Sequence, residues 1–165
     1  MFWLAGIGGL IIGCFGFVVF RGAPYLPTLT KQVETALDLI DLSPGQTLLE
    51  LGCGDGKVLI AAAERGWNVV GYELNPIIAF VAWVRTRRYG KQVKVVCGDF
   101  WLAKWPAADA IFVFLLDSYM QKLDKKIVQS YGKSGKKVTL VSFAFQLTTR
   151  EPKIVRDGLY LYEYS

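Results

Sequence analysis

Leu49-Glu-Leu-Gly-Cys-Gly-Asp-Gly-Lys57 decides how this chain is read. A short apolar run, Thr47–Cys53, passes into glycines at alternate positions, and a helical pattern over Lys57–Arg65 starts directly behind them. Gly52, Gly54 and Gly56 permit a tight turn and a close approach of backbone to a ligand, at the carboxyl end of a strand, where open α/β sheets bind. A dinucleotide fingerprint, G-x-G-x-x-G, needs glycine where Lys57 stands, so the spacing here is G-x-G-x-G. The alternative is a turn that merely reverses the chain.

Downstream, apolar runs alternate with helical patterns. Asn68–Leu74 reads as a strand and Pro76–Tyr89 as a helix capped by Asn75 with Pro76 at its first position. Val93–Cys97, Ala110–Leu116 and Lys137–Phe145 read as further strands, with a helix over Tyr119–Ser130. Lys153–Tyr164, split by Asp157-Gly158, reads as a hairpin. Alternation of this kind predicts an α/β domain over residues 47–165 with a parallel sheet and helices on both faces.

Upstream, residues 22–46 form a proline-stiffened connector, Gly22-Ala-Pro-Tyr-Leu-Pro27, followed by a helix from Thr28 or Thr30 to about Leu42. Residues 2–20 carry no charge, while all 19 Lys and Arg and all 14 Asp and Glu lie from Arg21 onward. Nineteen residues of helix span roughly 28 Å, about one hydrocarbon core. Residues 1–21 are therefore expected to be a single uncleaved transmembrane anchor, with a buried or interfacial hairpin as the alternative. Ala5, Gly9 and Gly13 share a helix face that could seat a second helix. By the positive-inside tendency, positive charge beyond the segment predicts that the domain lies in the cytoplasm or in an equivalent compartment.

Composition narrows the chemistry. The chain has no His, and Cys14, Cys53 and Cys97 form no CxxC pair. No metal site, disulfide framework or His-dependent nucleophile is expected. The net charge is +5, and Arg85, Arg87, Arg88, Lys91 and Lys94 form a basic run. That run reads as a solvated helix end, a contact with anionic headgroups or, less favourably, a nucleic-acid contact. Glu73 ends the second predicted strand, 21 residues after Gly52, where a carboxylate can accept from both ribose hydroxyls of a nucleoside. A helix cap or a surface charge is the other reading of Glu73. Asp99, after the third strand, is placed to accept from an adenine amino group with Phe100 beside the base.

The glycine-rich segment resembles motif I of class I S-adenosylmethionine (SAM)-dependent methyltransferases. More narrowly, Pro24–Thr28, Leu49–Lys57, Gly71–Pro76 and Val113–Leu115 together resemble the small membrane-anchored lysine methyltransferases of the ATP synthase c subunit and the adenine nucleotide translocase, and their prokaryotic relatives. The resemblance implies a Rossmann-like methyltransferase sheet. It implies SAM contacts from Glu50, Gly52, Cys53, Gly54, Gly56, Glu73, Leu74, Asp99 and Phe100, with Tyr25, Pro27 and the helix after them closing the pocket. Tyr25 also reads as an interfacial aromatic. The family's next motif tends to place Pro-Ser after the fourth strand's Phe-Leu, but here the chain reads Phe114-Leu-Leu-Asp-Ser118. Asp117 is the residue expected to orient an acceptor amine there; a cap for the following helix is the alternative. The expected activity is protein-lysine methylation of a membrane-adjacent partner. Methylation of a lipid or other small membrane-resident acceptor, and a non-catalytic SAM-binding membrane module, are the alternatives.

Overall fold

A computed structural model describes residues 30–132 and 135–165. The expected anchor, Tyr25 and Pro27 lie outside these residues. No helix among the described residues is long and apolar enough to cross a membrane.

The elements in chain order are α1 (Thr30–Ile40), β1 (Thr47–Leu51), α2 (Lys57–Glu64), β2 (Asn68–Glu73), α3 (Pro76–Thr86), a 3₁₀ segment (Arg87–Gln92), β3 (Val93–Cys97), β4 (Ala110–Val113), α4 (Asp117–Tyr131), β5 (Val138–Phe143), β6 (Ile154–Arg156) and β7 (Leu159–Tyr164). They build one sheet in the order β3-β2-β1-β4-β5-β7-β6. β1 to β5 are parallel, whereas β7 runs antiparallel to β5 and to β6. The sheet is therefore mixed, because the Asp157-Gly158 turn that joins the hairpin reverses the chain, both residues having positive φ (50° and 77°).

The two-residue period of the strands divides the core. Leu48, Val69, Phe112 and Val141 pack under α1 and α2 on one face. Leu49, Leu51, Ile111 and Leu140 pack under Met120, Leu123 and Ile127 of α4 on the other. β1 and β4 lie in the middle and are buried on both faces, which is why β4 reads as an unbroken apolar run and β1 as one interrupted only by Glu50.

The sheet edge that carries the site is fixed by local chemistry. β1 stops at Leu51 and not at Cys53, because Gly52 turns to φ 89°. α3 begins where expected: the Asn75 side chain accepts hydrogen bonds from the amides of Ile77 and Ile78, with Pro76 in the first turn. It ends at Thr86, short of Tyr89, and the chain goes on as a 3₁₀ segment interrupted at Gly90 (φ 56°). β4 ends at Val113, three residues short of Leu116. α4 begins at Asp117 with Leu116 in the cap position and no side-chain cap, so Asp117 lies inside the first turn and is not the cap.

Candidate active site

The loop Gly52–Gly56 crosses the carboxyl ends of β1 and β2. Gly52, Gly54 and Gly56 have φ of 89°, 52° and 81°, which L side chains rarely adopt. Space above Gly52 is open, whereas a Cβ at Gly56 would press on Thr86 and Ala82 at 3.3–3.4 Å. The loop thus has a free face towards the sheet edge and a closely packed face towards α3. Its path is held by the Tyr72 carbonyl, which accepts from the amides of Gly52 and Cys53 at 2.9 and 2.8 Å.

Two carboxylates lie beneath this loop. Glu73, at the end of β2, accepts from the Gly54 amide at 3.0 Å with Oε2 and from the Asn75 amide at 2.8 Å with Oε1. Each carboxylate oxygen has a second acceptor position, so two hydroxyls can still be received. Burial pushes the Glu73 carboxyl above its ordinary range, against the lowering by the Asn75, Gly54 and Leu74 amides. Glu50, in β1, is 4% exposed, and its Oε2 has no hydrogen-bond partner among the described residues. Burial first, then the charges of Glu73 and Asp55, push the Glu50 carboxyl well above the usual carboxylate range. Burial first, then the charges of Glu50 and Glu73, raise the Cys53 thiol, which disfavours its thiolate. Two neighbouring carboxyls whose charged forms are disfavoured by burial, one of them with an unsatisfied buried acceptor, are an environment that a cationic ligand would relieve.

Further along the edge, Asp99 follows β3 and accepts from the Trp101 amide at 2.8 Å with Oδ1. The Gly98 amide bonds the Glu73 carbonyl at 2.9 Å, so the β3 exit is tied to the β2 exit. Phe100 packs at 4.7 Å on Trp101, and its carbonyl accepts from the Trp105 indole at 2.8 Å. Glu50, Gly52, Cys53, Gly54, Gly56, Glu73 and Leu74 are brought together by β1, β2 and their exits, with Asp99 and Phe100 on the adjoining exit. Asp117 stands apart, exposed beyond β4.

Two features escaped the reading of the sequence. Gly71, in mid-β2, makes room for Cys53 and Leu59, as a Cβ there would come within 2.7 and 2.9 Å of them. A lone glycine inside a strand pattern was the available signal. The second is an aromatic set at the β4 and β5 ends, where Phe114 meets Phe143 at 5.3 Å and Phe145 at 6.5 Å.

A seven-stranded sheet ordered 3-2-1-4-5-7-6, with one antiparallel β7, an alternate-glycine loop after β1 and an acid at the end of β2, defines the class I SAM-dependent methyltransferase fold. Among solved structures, the RNA methyltransferase from Salinibacter ruber in complex with S-adenosyl-L-homocysteine superposes with TM-score 0.71 and 26% identity, over 84% of this chain and 92% of that one. Residues 50–154 match the ANTKMT methyltransferase domain, and the chain belongs to that family. The lysine N-methyltransferase of the ATP synthase c subunit from Homo sapiens is 33% identical over 106 residues, 63% of this chain and 45% of that protein. A protein-lysine N-methyltransferase of Saccharolobus islandicus (strain REY15A) is 32% identical over 152 residues, 84% of this chain and 92% of that protein. The chain spans about half the length of the animal ATP synthase relatives it matches.

Proposed function

We propose that this chain is a SAM-dependent protein-lysine N-methyltransferase acting at a membrane. The observation that carries the cofactor half of the reading is the buried pair Glu50 and Glu73 around a glycine loop whose outer face is open. Bound there, SAM supplies an electrophilic methyl on a sulfonium. Glu73 receives the ribose hydroxyls, Asp99 and Phe100 hold the base, and the loop admits the cofactor at backbone distance. Glu50, whose Oε2 has no partner among the described residues, gains one in the cationic end. Closure of the pocket is assigned to Tyr25 and Pro27, outside the described residues, on the family resemblance alone.

Methyl transfer from a sulfonium is an in-line displacement, so alignment supplies much of the acceleration and no histidine is required. The acceptor side lies at the β4 and β5 ends. There Asp117 orients the incoming amine, whose proton leaves to solvent before attack, and Phe114, Phe143 and Phe145 pack around the acceptor side. The lysine acceptor is supported by relatives named as lysine N-methyltransferases from an animal and an archaeon. Membrane attachment is supported by the uncharged residues 2–20, and the positive charge beyond them supports a cytoplasmic domain.

Incubating the full chain with methyl-labelled SAM and native membranes tests the reading, with label followed into protein, lipid and RNA fractions. Label in protein, recovered as methyl-lysine, is the expected result. Label confined to lipid or RNA overturns the acceptor, and no binding of S-adenosylhomocysteine by calorimetry overturns the cofactor. The anchor is tested separately. The full chain should stay with membranes through carbonate washing, and Ile11→Arg, costing about 2.5–3.5 kcal/mol at a bilayer centre, should release it.

A further inference from the structure

α3 is packed the reverse of an ordinary surface helix. Its buried residues are small, Ala79, Ala82 and Thr86, three and four positions apart. Its large apolar residues face outward: Phe80 is 62% exposed, Trp83 52%, and Ile77, Val81 and Val84 between 36% and 41%. The ring of Phe80 stacks on that of Trp83 at 5.8 Å. The small side is required by the loop, since Ala82 lies against Gly56. The large side has no partner among the described residues, and contiguous exposed apolar surface of this kind marks a partner or a membrane.

Charge chooses between these. From Pro76 to Gly98 the chain carries five basic residues and no acidic one. Acids facing the run come from neighbouring elements: Asp55 pairs with Arg85, and Glu64 with Arg88 at 3.1 Å. Arg87 and Lys91, on the segment leaving α3, and Lys94, on edge strand β3, are exposed. Thus an aromatic, apolar helix face runs directly into a cationic rim.

We infer that α3 and the segment after it form a second membrane contact, in which Ile77, Phe80 and Trp83 enter the headgroup region of an anionic bilayer and Arg87, Lys91 and Lys94 meet its phosphates and carboxylates. Other occupants match less. The first 29 residues contain no acid, so they would cover the apolar face and leave the cations unanswered. A second copy across a two-fold axis would set this rim against itself. Because α3 starts three residues after Glu73, the contact fixes the glycine-loop edge of the sheet relative to the bilayer. The inference stands apart from the identity of the acceptor and from the span assigned to residues 2–20.

Depth-dependent quenching of tryptophan tests it, on the full chain reconstituted in phosphatidylcholine vesicles with and without phosphatidylserine. The chain has five tryptophans, of which Trp67 and Trp105 are buried. Trp3 gives a background common to all variants. Brominated lipid should quench a component that Trp83→Phe removes and Trp101→Phe keeps. That component should shrink in vesicles lacking phosphatidylserine and in the Arg87→Glu/Lys91→Glu double variant. Quenching of Trp83 by aqueous acrylamide with no effect of brominated lipid overturns the inference. So does shielding from both quenchers, which would mean that protein covers the face. Trp83→Phe should leave affinity for S-adenosylhomocysteine unchanged, so a failure of docking and a failure of the enzymatic reading are told apart.

Discussion

Gly71→Ala should damage the cofactor loop without touching the cofactor. The added methyl would lie 2.7 Å from Cys53 Cβ, 2.9 Å from its Sγ and 2.9 Å from Leu59 Cδ1. Carbon contacts are comfortable from about 3.5 Å, so the atoms must part by about 0.6–0.8 Å. None of the three has an easy escape, because Leu59 is fully buried and Cys53 is held through its amide to Tyr72. Overpacking of this kind costs about 1–3 kcal/mol, which lowers the melting temperature of a domain this size by about 3–9 °C. Moving Cys53 also strains the bonds of Gly52 and Cys53 to the Tyr72 carbonyl. The loss of one should weaken S-adenosylhomocysteine binding about 2- to 10-fold. Cys53→Gly removes two of the three clashes, so a double-mutant cycle by thermal melts and calorimetry should show that Gly71→Ala costs less in the Cys53→Gly background. Wild-type melting and affinity in Gly71→Ala, or strictly additive effects in the double variant, would refute the packing reasoning.

Other consequences are open to direct measurement. Glu73→Gln keeps one acceptor and offers an amide where two backbone amides donate, so affinity for S-adenosylhomocysteine should fall about 10- to 150-fold, the equivalent of about 1.5–3 kcal/mol; an unchanged Kd would make Glu73 a structural tie only. Glu50, with its carboxyl raised by burial, favours the fold while protonated, and that contribution fades as pH rises through its folded-state value. Ligand-free Glu50→Gln should therefore gain melting temperature relative to wild type as pH is raised above about 4.3, the ordinary glutamate value, and a pH-independent difference would contradict this. Asp117→Asn should lower turnover while leaving cofactor affinity and melting temperature unchanged, and full activity would remove Asp117 from the acceptor side.

The alternation of apolar runs with helical periods was enough to read the parallel core and the place of its glycine loop, because β1 and β4 are buried on both faces and are apolar apart from Thr47 and Glu50 of β1. The Asn75-Pro76 start of α3 was equally legible, since capping is local chemistry. Strand ends were not. The runs into Cys53 and Leu116 stay apolar after the ladder has stopped, and pattern alone does not register a turn to positive φ at Gly52. The apolar content of α3 gave no warning of its inverted packing, because periodicity counts large and small apolar residues alike. Which of them face inward depends on how closely Gly56 draws the helix in. Glu73 was placed correctly at a strand end, but its ties to Gly54 and Asn75 are tertiary and could not be read from spacing.

β7 is the last element in order, yet it lies between β5 and β6. Until β7 is in place the outer edge of Val138–Phe143 has no partner, and that partner comes from residues 159–164, inserted between β5 and the β6 strand that precedes it in the chain. An apolar strand edge left open in an unfolded chain invites pairing with a neighbouring chain. Recovery on refolding should therefore fall with protein concentration more sharply than the stability of the finished fold alone would set.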